Sequence, residues 1–79
     1  MATVRYFAGA AEAAGVDSET LEAATVGDLL VRMGETRGAP LARVLTRCSL
    51  LVNGVRSGDP AAPLSPADAV DVLPPFAGG

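Results

Sequence analysis

Alternation of apolar and polar positions opens the chain. In "TVRYFA" (Thr3 to Ala8), Val4, Tyr6 and Ala8 fall on one side and Arg5 and Phe7 on the other. With its β-branched and aromatic residues, this stretch predicts a strand. "GAAEAAGV" reads as one Ala-rich helical turn ahead of Gly15, and "SETLEA" (Ser18 to Ala23) alternates again as a weaker second strand. At Thr25 the period changes. Val26, Leu29, Leu30 and Met33 recur at i, i+3, i+4 and i+7, the stripe of an amphipathic helix. Thr25 stands as N-cap with Asp28 three residues on, the spacing of a capping box with a shortened acid. Gly34 weakens this helix, and Gly38 followed by Pro40 ends it. Leu41, Val44 and Leu45 repeat the helical spacing for a final turn.

"CSLLVNGVRSG" predicts a hairpin, with Asn53-Gly54 taking the positive φ angles of a type I′ turn between Cys48 to Val52 and a strand starting at Val55. "DPAAPLSPAD" carries three prolines in ten residues and reads as loop. "AVDVL" (Ala69 to Leu73) is the last strand, with Val70 and Val72 on one face and Asp71 and Leu73 on the other. Pro74 and Pro75 stop it, because neither has an N–H for a ladder. The order is strand, strand, helix, strand, strand, loop, strand. If the first and last strands are both central they pair in parallel, and one helix covers one face of a mixed sheet. The expected class is α+β with a β-grasp arrangement. Its other face stays open, and Phe7, Leu51 and Leu73 are expected to point there.

Composition narrows the chemistry. Seventy-nine residues make one domain, and a chain of this size buries only about 60% of its unfolded surface. Aromatic residues are few, so Val, Leu and Ala must fill the core, and one Cys with no His supplies neither a disulfide nor a zinc staple. Net charge is −3, from nine acids and six arginines, with no basic block interleaved with aromatics. A nucleic-acid partner is therefore not expected. No leader pattern and no apolar run of membrane-spanning length is present, and a lone cysteine suits a reducing compartment, so a cytoplasmic location is expected. All six basic side chains are arginines; with no lysine, the chain has no side-chain amine for an isopeptide bond.

Without histidine there is no Ser-His-Asp or Cys-His catalysis, and no P-loop lysine exists. Asp68 and Asp71 read as solvated surface acids, and Cys48 as a small buried or half-buried residue. The remaining candidate is the end of the chain, "VLPPFAGG". A terminal carboxylate becomes reactive once adenylated, and sulfur that displaces AMP leaves a thiocarboxylate. Glycine suits the last two positions because a backbone without Cβ passes a narrow channel. Extended, Phe76 to Gly79 would reach roughly 13 Å from the globule, and Pro74 and Pro75 would stiffen the base of that reach.

Three stretches, "VRYFAGAAEAAG", the Asn53-Gly54 hairpin and "LPPFAGG", give the chain a resemblance to the MoaD/ThiS family of ubiquitin-fold sulfur carriers, nearest its molybdopterin-synthase small-subunit type. The resemblance implies a β-grasp domain over residues 1–75 and a flexible C-terminal tail over 76–79. It implies Gly79 as the group that is adenylated and thiocarboxylated, and Gly78 as the residue that permits threading. Ala77 and Phe76 are expected to line the tail's path. Phe7 and Leu73 match hydrophobic interface positions of the family; Leu51 and Pro75 join them from the geometry of the open face and the tail. The implied partners are a large molybdopterin synthase subunit (MoaE-like), an E1-like adenylyltransferase (MoeB-like) and a sulfurtransferase. No cofactor is expected on the chain itself, since ATP and Mg²⁺ belong to the activating enzyme. Catalysis by the chain alone is not expected. Where the family often has an aromatic pair before the prolines, this chain has Val72-Leu73. Sulfur carriage to a thiazole, cysteine or thioacid metabolite, or ubiquitin-like conjugation to other proteins, are the alternatives.

Overall fold

The computed structural model describes residues 1–75. Its elements are β1 (Ala2–Tyr6), α1 (Gly9–Ala14), β2 (Ser18–Leu21), α2 (Val26–Arg37), α3 (Ala39–Leu45), β3 (Ser49–Val52), β4 (Val55–Arg56) and β5 (Ala69–Leu73). They form one five-stranded sheet in the order β2-β1-β5-β3-β4. β1 and β5 pair in parallel at its centre, with Val4 against Val70 and Tyr6 against Val72. All other pairings are antiparallel. This is the mixed β-grasp sheet that the order of patterns predicts.

The core lies between the sheet and the helices. Val4, Tyr6, Leu50, Val70 and Val72 from the strands meet Ala10, Ala14, Val26, Leu29, Met33 and Leu41 from the helices. The α2 stripe is buried as its period demands, except that Leu30 stays half-buried at the margin. Leu29, Met33 and Leu41 are wholly buried, each contributing about 1.5–3 kcal/mol by leaving water.

The elements depart from the sequence reading in several places, and β2 ends at Leu21 rather than at the expected Ala23. β1 stops at Tyr6, because Ala8 takes φ 50° and leaves the core face that alternation would give it. That turn lets Phe7 and Ala8 carbonyls accept from Ala10 and Ala11, which starts α1. α1 is a helix of six residues that buries Ala10 and Ala14. The expected final turn at Leu41 is a separate helix, α3, started by Pro40 near its N-terminus and set off from α2 by Gly38 at φ 90°. Cys48 lies just before β3, where its Sγ donates to the Val44 carbonyl at 3.2 Å and burial pushes the thiol up.

The proline-rich loop, unstructured in the sequence reading, caps α2. Val26 N–H donates to the Ala62 carbonyl and Gly27 N–H to the Pro60 carbonyl, while Asp28 N–H donates to Thr25 Oγ1 at 3.1 Å. These are three of the first-turn donors that a helix leaves without internal partners. A Cβ on Gly27 would lie 3.1 Å from both Pro60 Cβ and Pro60 O, so any larger residue would push the loop back by a few tenths of an ångström. The Asn53-Gly54 turn has positive φ at both residues, as a type I′ turn requires. Asn53 also ties the hairpin to β5: its Oδ1 accepts from Ala69 N–H and its Nδ2 donates to Asp68 Oδ1. Asp68 accepts from Ser65 N–H as well, and these bonds hold its carboxyl below the usual range. It is a loop anchor, not a freely solvated acid.

One polar knot joins β1, β2 and α2. Tyr6 Oη donates to Glu19 Oε2 at 2.6 Å, and Arg37 donates through Nη2 to Oε1 at 2.6 Å and through Nε to Oε2 at 3.1 Å. The Arg37 bonds, with help from Tyr6 and against the cost of burial, hold the Glu19 carboxyl below its ordinary value. Burial and then Glu19 push the Tyr6 phenol far up.

Because the folded Glu19 pKa is depressed, its stabilisation is present above the unfolded value near 4.5 and is lost as pH falls through the folded value. Glu19→Gln is expected to lower stability at pH 7 and to shallow the loss of stability below pH 4.5, measured as urea midpoints across pH. Leu41→Ala is expected to cost about 2–5 kcal/mol, a large fraction of a small domain's stability, read by the same urea titration.

Candidate functional site: the tail-exit end of the sheet

Parallel pairing of β1 and β5 makes both strands finish at the same end of the sheet. There Phe7 N–H donates to the Val72 carbonyl at 3.1 Å, which carries the pairing one residue beyond β1. Phe7 is 39% exposed, and Leu73, the last residue of β5, is half-buried. The register places Ser49 across from Leu73 on the other side. Pro74 and Pro75 follow directly, Pro74 half-buried and Pro75 exposed.

The helix-free face of the sheet is less uniform than Phe7, Leu51 and Leu73 alone would suggest. Arg5 and Asp71 sit side by side at its centre and form a two-pronged ion pair, Nε to Oδ1 at 2.6 Å and Nη2 to Oδ2 at 3.0 Å. Leu51 lies across from Asp71, and Arg56 across from Leu51. One row of the face is thus charged, and the next, toward the tail, carries Phe7 and Leu73. Leu51 is a diagonal neighbour of Leu73, within reach of the same partner surface. Arg5 is 53% exposed in its side chain, so the pair adds at most about 1 kcal/mol to stability. Its geometric role is to divide the face. Alternation already places Arg5 and Asp71 on this side; only the strand register makes them neighbours.

On the helical side of the same exit, a groove of about 480 Å³ is lined by Gly9, Pro74 and Pro75 together with Arg43, Val44, Thr46 and Arg47. The helical spacing of Arg43 and Arg47 is visible in the sequence, but their meeting with Pro74 depends on where α3 docks. Phe76, Ala77, Gly78 and Gly79 lie outside the described residues. Among the described residues there is no cluster of acids, Cys or His that could hold a metal, and no helix long and apolar enough to cross a membrane. This end of the molecule thus sets an apolar edge on one side of Pro74 and Pro75 and a basic groove on the other.

Residues 4–79 match the model of the ThiS family. The chain belongs to the ThiS family. No curated protein sequence matches it significantly. Among solved structures, SAMP1 from Haloferax volcanii shares 26% identity with a TM-score of 0.85 over 99% of this chain and 98% of its own. A protein described as putative molybdopterin converting factor, subunit 1, from Pyrococcus furiosus shares 26% identity with a TM-score of 0.79 over 95% and 97%. A chain from the complex of subunits 1 and 2 of molybdopterin-converting factor from Helicobacter pylori 26695 has the same fold, at 23% identity and a TM-score of 0.77 over 99% and 97%. ThiS-family membership and the ubiquitin-like β-grasp sheet therefore agree, and the family match runs through Gly79.

The two faces of β5 give a direct test. Phe7→Asp and Leu73→Asp are expected to leave the domain folded, each costing no more than about 1–2 kcal/mol. Val72→Asp, one residue from Leu73 but fully buried, is expected to abolish cooperative unfolding. Thermal melts followed by circular dichroism distinguish these outcomes.

Proposed function

We propose that this chain, a ubiquitin-like sulfur carrier by family and fold, takes up sulfur on the carboxyl of Gly79 and donates it as the small subunit of a molybdopterin synthase. The observation that carries the reading is the central β5, which delivers the chain past Pro74 and Pro75 into a segment ending Gly78-Gly79, within a family match that includes those residues. The structural likeness to a putative molybdopterin converting factor subunit 1 supports the molybdopterin pathway. Likeness to SAMP1 keeps protein conjugation as the second reading.

In this reading the Gly79 carboxylate attacks the α-phosphorus of ATP on an E1-like adenylyltransferase, and pyrophosphate leaves. A persulfide on a sulfurtransferase then attacks the acyl carbon and expels AMP. A second thiol of the sulfurtransferase cleaves the resulting S–S bond, leaving the thiocarboxylate and a disulfide. The thiocarboxylated tail threads into the large subunit, where its sulfur passes to cyclic pyranopterin monophosphate and water restores the carboxylate. The chain's own residues bind and orient: Phe7, Leu51 and Leu73 dock, Pro75 aims, and Phe76, Ala77 and Gly78 line the passage. The reactions occur in the cytoplasm, where ATP is supplied and thiols stay reduced.

Intact-mass analysis after incubation with the adenylyltransferase, ATP, Mg²⁺ and a persulfide donor is expected to show one oxygen replaced by sulfur. Deletion of Gly79 is expected to abolish the change. No replacement in the presence of an adenylyltransferase active on its own carrier would refute the carrier reading. Adducts on other proteins that vanish with Gly79 would favour conjugation. Binding of a large subunit that takes pyranopterin, weakened tenfold or more by Phe7→Asp (about 1.4 kcal/mol), would decide for the molybdopterin pathway.

A further inference from the structure

The groove beside Pro74 and Pro75 is not used by the apolar docking just described. It lies on the helical side of the tail, and two of its walls are Arg43 in the last turn of α3 and Arg47 in the turn that follows. Both are exposed. Among the described residues, Arg5 and Arg37 are engaged in ion pairs, whereas Arg43 and Arg47 are in none. No acid is among the described residues that line the groove. A helix C-terminus favours a cation in its last turn, which accounts for Arg43 but not for a second arginine four residues on facing the same hollow. The protein as a whole carries −3, whereas the described residues lining the groove carry two positive charges, a local reversal of sign.

This local reversal has a physical use in the reaction proposed above. An acidic carrier has to bring its terminal carboxylate to a site already holding ATP, and like charges oppose that encounter. Cations beside the tail base offset the repulsion and steer the approach. Guanidinium groups also pair with carboxylates in two-pronged fashion. Val44, Pro74 and Pro75, which line the same groove, supply apolar surface against which a peptide backbone can lie. We propose that this groove is a second docking site, occupied by an acidic segment of the adenylating enzyme while the tail is in its active site. The inference rests on the sulfur-carrier reading and adds to it a specificity element on the opposite side of the tail from Phe7 and Leu73.

The test is ATP–pyrophosphate exchange by the E1-like adenylyltransferase from the same source, with carrier concentration and salt varied. Arg43→Glu and Arg47→Glu are compared with Arg32→Glu, which makes the same change in net charge on α2, away from the groove. Each groove variant is expected to raise KM for the carrier by about tenfold or more, with kcat within about twofold of wild type. The KM of the wild type should rise with salt more steeply than that of either variant, and Arg43→Lys should restore part of the loss. Equal KM values for the groove variants and Arg32→Glu would overturn the inference while leaving the carrier reading intact. So would unchanged activation combined with weaker binding to the large subunit, because the occupant would then be the other partner. Faster activation of both groove variants than of the wild type would point to the chain's own terminus as the occupant, and also overturn it. Absence of exchange with the wild type would refute the carrier reading itself, and the inference with it.

Discussion

The parallel pairing of β1 with β5 is the constraint on which the rest depends. It joins the two ends of the chain at the centre of the sheet, in a register that sets Tyr6 against Val72. Two consequences follow from that one alignment. Val4, Tyr6, Val70 and Val72 form a continuous buried row under the helices, and both strands terminate together, so the segment after Leu73 emerges beside Phe7. A one-residue slip would turn Asp71 and Leu73 into the core and Val72 to solvent. The placement of the tail and the stability of the domain are thus the same structural fact.

Around that pair, a domain with one cysteine and no histidine closes its remaining weak points with polar contacts. The edge strand β2 is held to α2 through Glu19, which joins Tyr6 and Arg37. The α2 N-terminus takes its partners from the loop between β4 and β5, and that loop is in turn pinned to the hairpin through Asp68 and Asn53. Each contact links segments far apart in the chain. The loop residues Pro60 and Ala62 accordingly belong to the fold's framework, although they lie in no strand or helix.

The end of the sheet where the tail leaves combines surfaces of different character. On the side free of helices, the apolar row of Phe7 and Leu73 abuts the Arg5–Asp71 pair. On the other side, Arg43 of α3 and Arg47 just after it line a groove together with Pro74. A partner that grips the tail therefore meets an apolar edge, a fixed charge pair and a basic hollow within a short distance. Such a combination discriminates among partners better than an apolar patch would, because a mismatched charge costs more than a mismatched methyl group.

Local periodicity in the sequence was enough to determine the strands, the main helix, the Asn53-Gly54 turn and the core-facing rows of β1 and β5, since these depend on neighbours a few residues apart. Composition and resemblance, not periodicity, pointed to residues 76–79 as the candidate for chemistry, and these lie outside the described residues. Only the tertiary structure decided what depends on distant segments meeting. Ala8 leaves the strand face because the chain must turn into α1, and α3 becomes a full helix because Leu41 finds a buried site. Arg5 and Asp71 pair because the register makes them adjacent. The proline loop becomes a helix cap, and two arginines four residues apart become the wall of a groove, because α3 docks beside Pro74. Spacing along a chain encodes which face a side chain takes; which partner it meets there is set by how the elements pack.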